Sequence, residues 1–207
     1  MLLFQRLLRT TGGAAATAWA AEVTAGVNRH ATGEVALWRG AFGSPVGTIG
    51  WSSWLESLGQ VDDLNASMAG DADLMALVAK GADFVADADP DRLLAIVHGG
   101  IVGSAPLGSY VGAVTAHAAP GKWTEAGAWA AHIADVYSEV TGLNVAVGST
   151  VAGAMGEMTW LVRHDNPASI EAAIAATMSS QRYANEVNGG GDFFLPGATQ
   201  IYAQRIA

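Results

Sequence analysis

The sequence predicts an α+β protein made of two tandem ferredoxin-like β-α-β-β-α-β repeats whose sheets pack into a barrel-like core. The main observation behind this prediction is an internal repeat. Three segments recur in the same order at an offset of 109 or 110 residues: 18–23 at 128–133, 32–33 at 141–142, and 47–51 at 156–160. A second observation is that each copy has the same succession of strand-like and helix-like patterns. Together they predict one structural unit that occurs twice.

The junction between the copies is rich in residues that favour turns. Residues 99–108 contain four glycines and Pro106, a composition typical of a linker. We therefore predict a first repeat over 1–99, a linker over 100–108 and a second repeat over 109–207.

The elements of the first repeat follow from its apolar pattern. Residues 2–8 form an apolar strand, and a glycine-containing turn leads into a helix. Trp19, Val23 and Val27 lie one helical turn apart and give that helix an apolar face. The threonine and glycine at 32–33 predict its end. The remaining predicted elements are a hairpin with strands at 35–42 and 46–54, a helix over 62–80, and a strand at 93–98.

The second repeat has the same order. Residues 110–116 form the first strand, and Trp129, Ile133 and Val136 mark the apolar face of the next helix. Residues 141–142 predict the end of that helix. The remaining predicted elements are a hairpin with strands at 143–151 and 155–162, a helix that starts at Asn166 and Pro167, and a strand at 199–206.

Composition excludes several classes of function. The chain of 207 residues has a formal net charge of −9, and Lys80 and Lys122 are its lysines, so a basic surface for nucleic acid is excluded. It contains no cysteine, which excludes disulfides, thiolate metal sites and a cysteine nucleophile. Half of the residues are hydrophobic and 14% are charged, which predicts a folded protein with a sizeable core.

Two apolar segments raise the question of a membrane or a targeting signal. The first 21 residues resemble a signal or transit peptide, but Gln5 and Arg6 interrupt the apolar stretch, and it has a counterpart in the second repeat. Residues 93–121 contain no charged residue other than histidine, yet glycines and Pro106 break them up. We therefore expect an unprocessed, soluble, cytoplasmic protein without a membrane span.

The hairpin sequence at 47–51, followed by the helix over 62–80, resembles the dimeric α+β barrel superfamily. That superfamily includes antibiotic-biosynthesis monooxygenases, NIPSNAP-type proteins, polyketide cyclases and haem enzymes. The resemblance implies a pocket for a small hydrophobic or aromatic molecule and assembly into a homo-oligomer. It also implies cofactor-independent oxygenation or cyclisation of an aromatic or polyketide-like compound.

Histidines are the candidate bases for such a reaction, because their pKa lies near neutrality. His132 stands one helical turn after Trp129, and Glu22 occupies the matching place in the first repeat. The resemblance implies that such positions can point into a pocket between sheet and helices. His117, at the end of a predicted strand, is the second candidate. Each of these residues could instead lie at the surface.

Trp38 and Arg39 are candidate substrate-binding residues. They are adjacent on one predicted strand and so face opposite sides. An inward Trp38 would stack on a flat ligand, whereas an inward Arg39 would pair with Glu22 or a substrate carboxylate. The tryptophans that recur in both repeats, Trp19 with Trp129 and Trp51 with Trp160, are expected to pack in the core.

Two other functions remain open at this point. One is a non-catalytic barrel that serves assembly or binds a partner. The other is haem binding through one histidine, as in the haem enzymes of the superfamily. The five histidines have none of the short spacings typical of a zinc site, so we predict no metal.

Overall fold

The computed structural model describes residues 1–100 and 104–207. Within this part of the chain, strands and helices alternate along the sequence. The strands are β1 (Leu2–Thr10), β2 (Val35–Phe42), β3 (Thr48–Leu55), β4 (Val85–Ala88), β5 (Arg92–Gly99), β6 (Tyr110–His117), β7 (Val145–Ala152), β8 (Glu157–His164) and β9 (Thr199–Arg205). The helices are α1 (Ala14–Asn28), α2 (Gly59–Ala69), α3 (Ala72–Ala79), α4 (Trp123–Thr141), α5 (Pro167–Ser179) and α6 (Gln181–Gly189).

Eight of the described strands form a closed antiparallel barrel. Their order is β3-β2-β9-β6-β8-β7-β5-β1, and β1 pairs with β3 to close the ring. The first four-strand group has the order β5-β1-β3-β2, and the second group, β9-β6-β8-β7, has the same arrangement. Two seams, β2 with β9 and β5 with β7, join the groups. The α+β class and the barrel core are therefore confirmed.

Helices cover the outer face of this barrel. α1 packs through Trp19 and Val23 on the outward side chains of β2 and β3. α4 packs in the same way, through Ala130 and Ile133, on β7 and β8. Because neighbouring residues of a strand face opposite sides, the alternate residues of the same strands point into the barrel. Inside the barrel, Leu3 of β1 and Leu94 of β5 form a small apolar cluster with Ala146 and Leu161.

The repeated tryptophans pack as predicted. Trp19 meets Trp51 edge to face, with ring centroids 6.1 Å apart and planes at 85°. Trp129 meets Trp160 at the same distance and at 82°. Edge-to-face contacts of this kind stabilise aromatic pairs beyond their buried area. The recurrence of these residues therefore reflects core packing.

Several element ends differ from the sequence prediction. α1 stops at Asn28, before the predicted end at 32–33, because the Asn28 amide bonds to both the N–H and the C=O of Val35. α4 ends as predicted, at Gly142 with φ 74°. The predicted helix over 62–80 is two helices, since Asp71 begins a new one by accepting a hydrogen bond from Leu74 N.

The linker predicted over 100–108 falls partly on residues 101–103, which lie outside the described residues. The division of the chain into 1–99 and 109–207 stays a prediction. None of the described helices is both long and apolar enough to cross a membrane.

Candidate functional site

The interior of the barrel contains a cavity of about 400 Å³. This volume lies in the range of small-molecule sites, roughly 300–1,000 Å³. Its wall consists of residues of β1, β2, β3, β6, β8 and β9, of Arg92 at the start of β5, and of residues from β4 and the adjoining loops, including Ser44 and Asp89. Trp38 and Trp54 supply large flat surfaces, and Leu3 and Leu161 supply aliphatic ones. The cavity therefore suits a flat, largely apolar molecule.

A row of polar side chains crosses this wall. Gln5 pairs with Ser52 of β3 on one side and with Arg92 of β5 on the other, so the three lie next to one another on adjacent strands. Trp38 extends the row, since its Nε1 donates to Ser52 Oγ at 2.8 Å. Polar groups in an otherwise apolar pocket fix the orientation of a ligand.

The strongest charge cluster lies where β8 begins. Glu157 is 8% exposed and accepts a hydrogen bond from Arg92 Nη2 and another, at 3.1 Å, from Thr150 Oγ1. Arg92 Nη2 also donates to Thr159 Oγ1 at 3.2 Å. A buried carboxylate needs such partners, because burial without them is costly.

His117 stands beside this cluster. It is the last residue of β6, which pairs with β8, and its partner in the register is Glu157. His117 Nε2 lies 3.8 Å from Glu157 Oε2, and the imidazole is 44% exposed. The histidine therefore reaches solvent on one side and the carboxylate of the cavity wall on the other.

A second ion pair, between buried Arg205 and exposed Glu34, lies where β9 ends. Arg205 is 7% exposed, and its guanidinium bonds to both carboxylate oxygens of Glu34 and to the carbonyl of Ala105. Because β8 and β9 run in the same direction beside β6, this pair lies at the opposite end of the barrel from Glu157. The two ends thus carry separate ionic clusters.

Two residues predicted to bind substrate take opposite sides of β2. Trp38 lines the cavity. Arg39 is exposed on the outer face, where its Nη2 donates to Gln204 Oε1 at 2.8 Å. This placement puts Trp38 within reach of a ligand in the barrel and Arg39 out of reach.

The other two predicted residues lie on helices outside the barrel. His132 of α4 is half exposed, and its Nε2 is 3.0 Å from Glu186 Oε2 of α6. Glu22 is on α1, the helix that covers the outer side of β2 and β3. Of the two predicted catalytic histidines, His117 is therefore the one next to the cavity.

Sequence reasoning missed the residues that give the cavity its chemistry, namely Gln5, Arg92 and Glu157. Glu157 was visible as the acid of the repeated hairpin segment, where the first repeat has Thr48. A single acidic residue in an otherwise apolar strand could have pointed to Glu157, because a buried carboxylate requires a cationic partner. That partner, Arg92, is 65 residues away in the sequence.

The wall offers no ligand set for a metal or a haem. Among the described residues, no group of three or more histidine, aspartate or glutamate side chains could hold a metal ion. The described residues that line the cavity include no histidine, tyrosine or methionine, so none of them could be the axial ligand of a haem iron.

Solved structures share this fold. No protein-family model and no curated protein matches the sequence. A protein assigned as a monooxygenase from Fusobacterium nucleatum subsp. nucleatum is 9% identical, with a TM-score of 0.71 over 100% of this chain and 92% of that chain. An anthrone oxidase-like protein is 15% identical, with a TM-score of 0.71 over 100% and 91%. A protein assigned as a monooxygenase from Lactobacillus acidophilus NCFM is 10% identical, with a TM-score of 0.67 over 99% and 93%.

These similarities show the fold. The chain has the α+β barrel fold that the resemblance in the sequence implied.

Proposed function

We propose that the barrel cavity is the active site of a cofactor-independent monooxygenase that acts on an aromatic, polyketide-like carbon acid. One observation supports this most directly: a cavity walled by Trp38 and Trp54 has His117, Glu157 and Arg92 gathered at one end. A cavity with a few convergent polar groups is the default site for a small molecule. The names of the structural neighbours, which include an anthrone oxidase-like protein, agree with the same substrate class.

The proposed reaction converts an activated methylene group to a carbonyl. The imidazole of His117 removes one methylene proton as a general base. The carbanion passes one electron to dioxygen, and the two radicals combine to form a carbon–oxygen bond. The peroxide then takes up a proton, the second methylene hydrogen leaves as a proton, and the oxygen–oxygen bond breaks. One oxygen atom stays on carbon, and the other leaves as water.

The residues of the chain have distinct parts in this scheme. Trp38 stacks on the ring system and holds it in the cavity. Glu157 stabilises the imidazolium that forms on His117, since opposite charges attract strongly in a partly buried site. Arg92 keeps Glu157 in place. Arg39, His132 and Glu22, which lie outside the barrel, have no part in it.

The proposal is tested by oxygen uptake with anthrone as the substrate. His117→Ala should lower kcat by at least about 10²-fold, the usual contribution of a general base. His132→Ala is the matched control, because it removes a histidine that also faces a glutamate but lies outside the barrel. The control should keep the wild-type rate, and both variants should keep the wild-type melting temperature.

Two results would contradict the proposal. If anthrone binds without any uptake of oxygen, the protein is a carrier or binding protein. If His132→Ala abolishes turnover and His117→Ala does not, the reaction takes place outside the barrel.

A further inference from the structure

We infer that the cavity selects a neutral, hydroxylated aromatic ligand, and that Gln5 determines this specificity by accepting a hydrogen bond from the ligand hydroxyl. This inference rests on the proposed function for the location of the site, and it adds the chemical class of the ligand and the residue that recognises it. Gln5 lies in the middle of β1, on the cavity wall.

The cavity wall contains polar atoms without a partner. Among the described residues, two buried side-chain atoms have no hydrogen-bond partner: Gln5 Oε1 and Ser44 Oγ. Both residues line the same cavity. Buried polar atoms are nearly always hydrogen-bonded, and each exception calls for an explanation. For Gln5 Oε1, a ligand in the cavity would supply the missing partner.

Gln5 Oε1 requires a hydrogen-bond donor. An amide oxygen is an acceptor, so its partner must be a donor. Two neighbouring donor atoms are already engaged, since Trp38 Nε1 donates to Ser52 Oγ and Arg92 Nη2 donates to Glu157 and Thr159. A ligand hydroxyl meets the need of Gln5 Oε1, and a phenolic hydroxyl is the donor that an oxygenated aromatic compound carries.

The charged side chains that line the cavity determine which ligand charge it favours. The described lining residues include as many arginines as carboxylates: Arg9, Arg92, Arg163 and Arg205 against Glu34, Asp87, Asp89 and Glu157. Three of these arginines pair with three of these acids, in Arg9–Asp87, Arg92–Glu157 and Arg205–Glu34. A charged ligand would lose its hydration without gaining a free counter-charge from these pairs. The wall therefore favours a neutral ligand.

Binding is measured by calorimetry without oxygen, so that no turnover is needed. Three probes are compared. Naphthol is neutral and donates a hydrogen bond, whereas methoxynaphthalene is neutral and cannot donate one. Naphthoate is charged. Wild-type protein should bind naphthol about tenfold more tightly than methoxynaphthalene, the size expected for one satisfied buried acceptor. Naphthoate should bind more weakly than naphthol.

Gln5→Leu should abolish the preference for naphthol over methoxynaphthalene. Its melting temperature should not fall, because the substitution also removes an unpartnered polar atom. Gln5→Met serves the same purpose if the leucine variant does not fold. Gln181→Leu, on the surface of α6, is the matched control and should keep the wild-type preference.

Three results would overturn the inference. They are a naphthol preference that survives in both Gln5 variants, naphthoate binding as tight as naphthol binding, and no binding of any probe to the wild type. A naphthol preference that depends on Gln5, in a protein that takes up no oxygen with anthrone, would uphold the inference and refute the proposed oxygenation.

Discussion

His164 differs from the other histidines of the chain in its surroundings. His30, His98, His117 and His132 each lie near a carboxylate. His164 is 2% exposed, and its Nδ1 faces the hydroxyl of Ser169 at 3.4 Å. Burial lowers the pKa of its imidazole, and this effect outweighs a hydrogen bond with the backbone of Ser169 and the charge of Asp165, which both raise the pKa. The folded protein thus favours neutral His164.

The burial of neutral His164 predicts that the protein loses stability in weak acid. The unfolded chain takes up a proton at His164 as the pH falls through about 6.5, whereas the folded chain takes it up only at lower pH. Since the unfolded state then binds more protons, the free energy of unfolding falls with the pH, by at most about 1.4 kcal/mol per pH unit. Urea unfolding of the wild type between pH 7.5 and pH 5.5 measures this slope.

The control for this prediction is His164→Asn, which cannot titrate. The variant loses the ring contact with Tyr202, so its stability is lower at both pH values, but its slope should be shallower than that of the wild type. If the free energy of unfolding changes with pH equally in the two proteins, the pH dependence does not come from His164.

At the residue scale, the sequence predicted contacts that depend on a repeat and missed those that depend on distant partners. It placed Trp38 and Arg39 on opposite faces of one strand, but which of them faces inward is decided by how β2 meets β9. It predicted that the last hairpin strand of the second repeat ends at 162, but β8 continues to His164, whose ring is buried.

At the element scale, the two copies repeat their helix contacts at an offset of 109 or 110 residues. Trp19 Nε1 donates to the carbonyl of Leu77, and Trp129 Nε1 donates to the carbonyl of Glu186. Glycines 109 residues apart, Gly81 and Gly190, lie against the same two rings. The second half of each repeat is thus held to its first helix by one tryptophan in the same way.

The helix break also recurs in both copies. Asp71 begins α3 by accepting from Leu74 N, and Ser180 begins α6 by accepting from Tyr183 N. The sequence predicted one helix over 62–80, because its apolar positions continue across the break. The break follows from capping side chains, which offer the backbone an alternative to helix hydrogen bonds.

The capping role of Asp71 can be tested by substitution. Asp71→Ala should lower the free energy of unfolding by about 1–2 kcal/mol, the usual effect of losing an N-cap. Asp71→Asn should lower it much less, because asparagine caps equally well. Asp73→Ala, in the same turn of α3, is the control and should have a small effect, about 0.3–1 kcal/mol. Urea unfolding measures all three variants. If Asp71→Ala and Asp71→Asn lower the free energy of unfolding equally, the contact of Asp71 with His30 contributes more to stability than the N-cap hydrogen bond.

At the scale of the whole molecule, neither half can complete the barrel alone. β2 takes β9 as its neighbour, and β5 takes β7. Backbone hydrogen bonds between Leu37 and the residues that follow β9 extend the first seam, with Leu37 N donating to Ala207 O at 2.7 Å. The repeat in the sequence predicted two similar units and a common core, but the strand pairs that join them connect residues too far apart for any local pattern to reveal.

These seams predict that the two halves unfold together. An added Cβ at Gly81 would lie 2.7 Å from Trp19 Cζ2, and one at Gly190 would collide with the Trp129 ring, whereas one at Gly189 meets nothing within 4 Å. Gly81→Ala and Gly190→Ala should each cost about 1–3 kcal/mol through overpacking, which corresponds to a midpoint shift of about 1 M urea. Gly189→Ala is the control and should not lower the midpoint.

Each of these proteins should show one transition that coincides in tryptophan fluorescence and circular dichroism. Because the halves share two seams, overpacking in one half should move that whole transition. If the halves were independent, the curves would contain two transitions, and Gly81→Ala and Gly190→Ala would each move a different one.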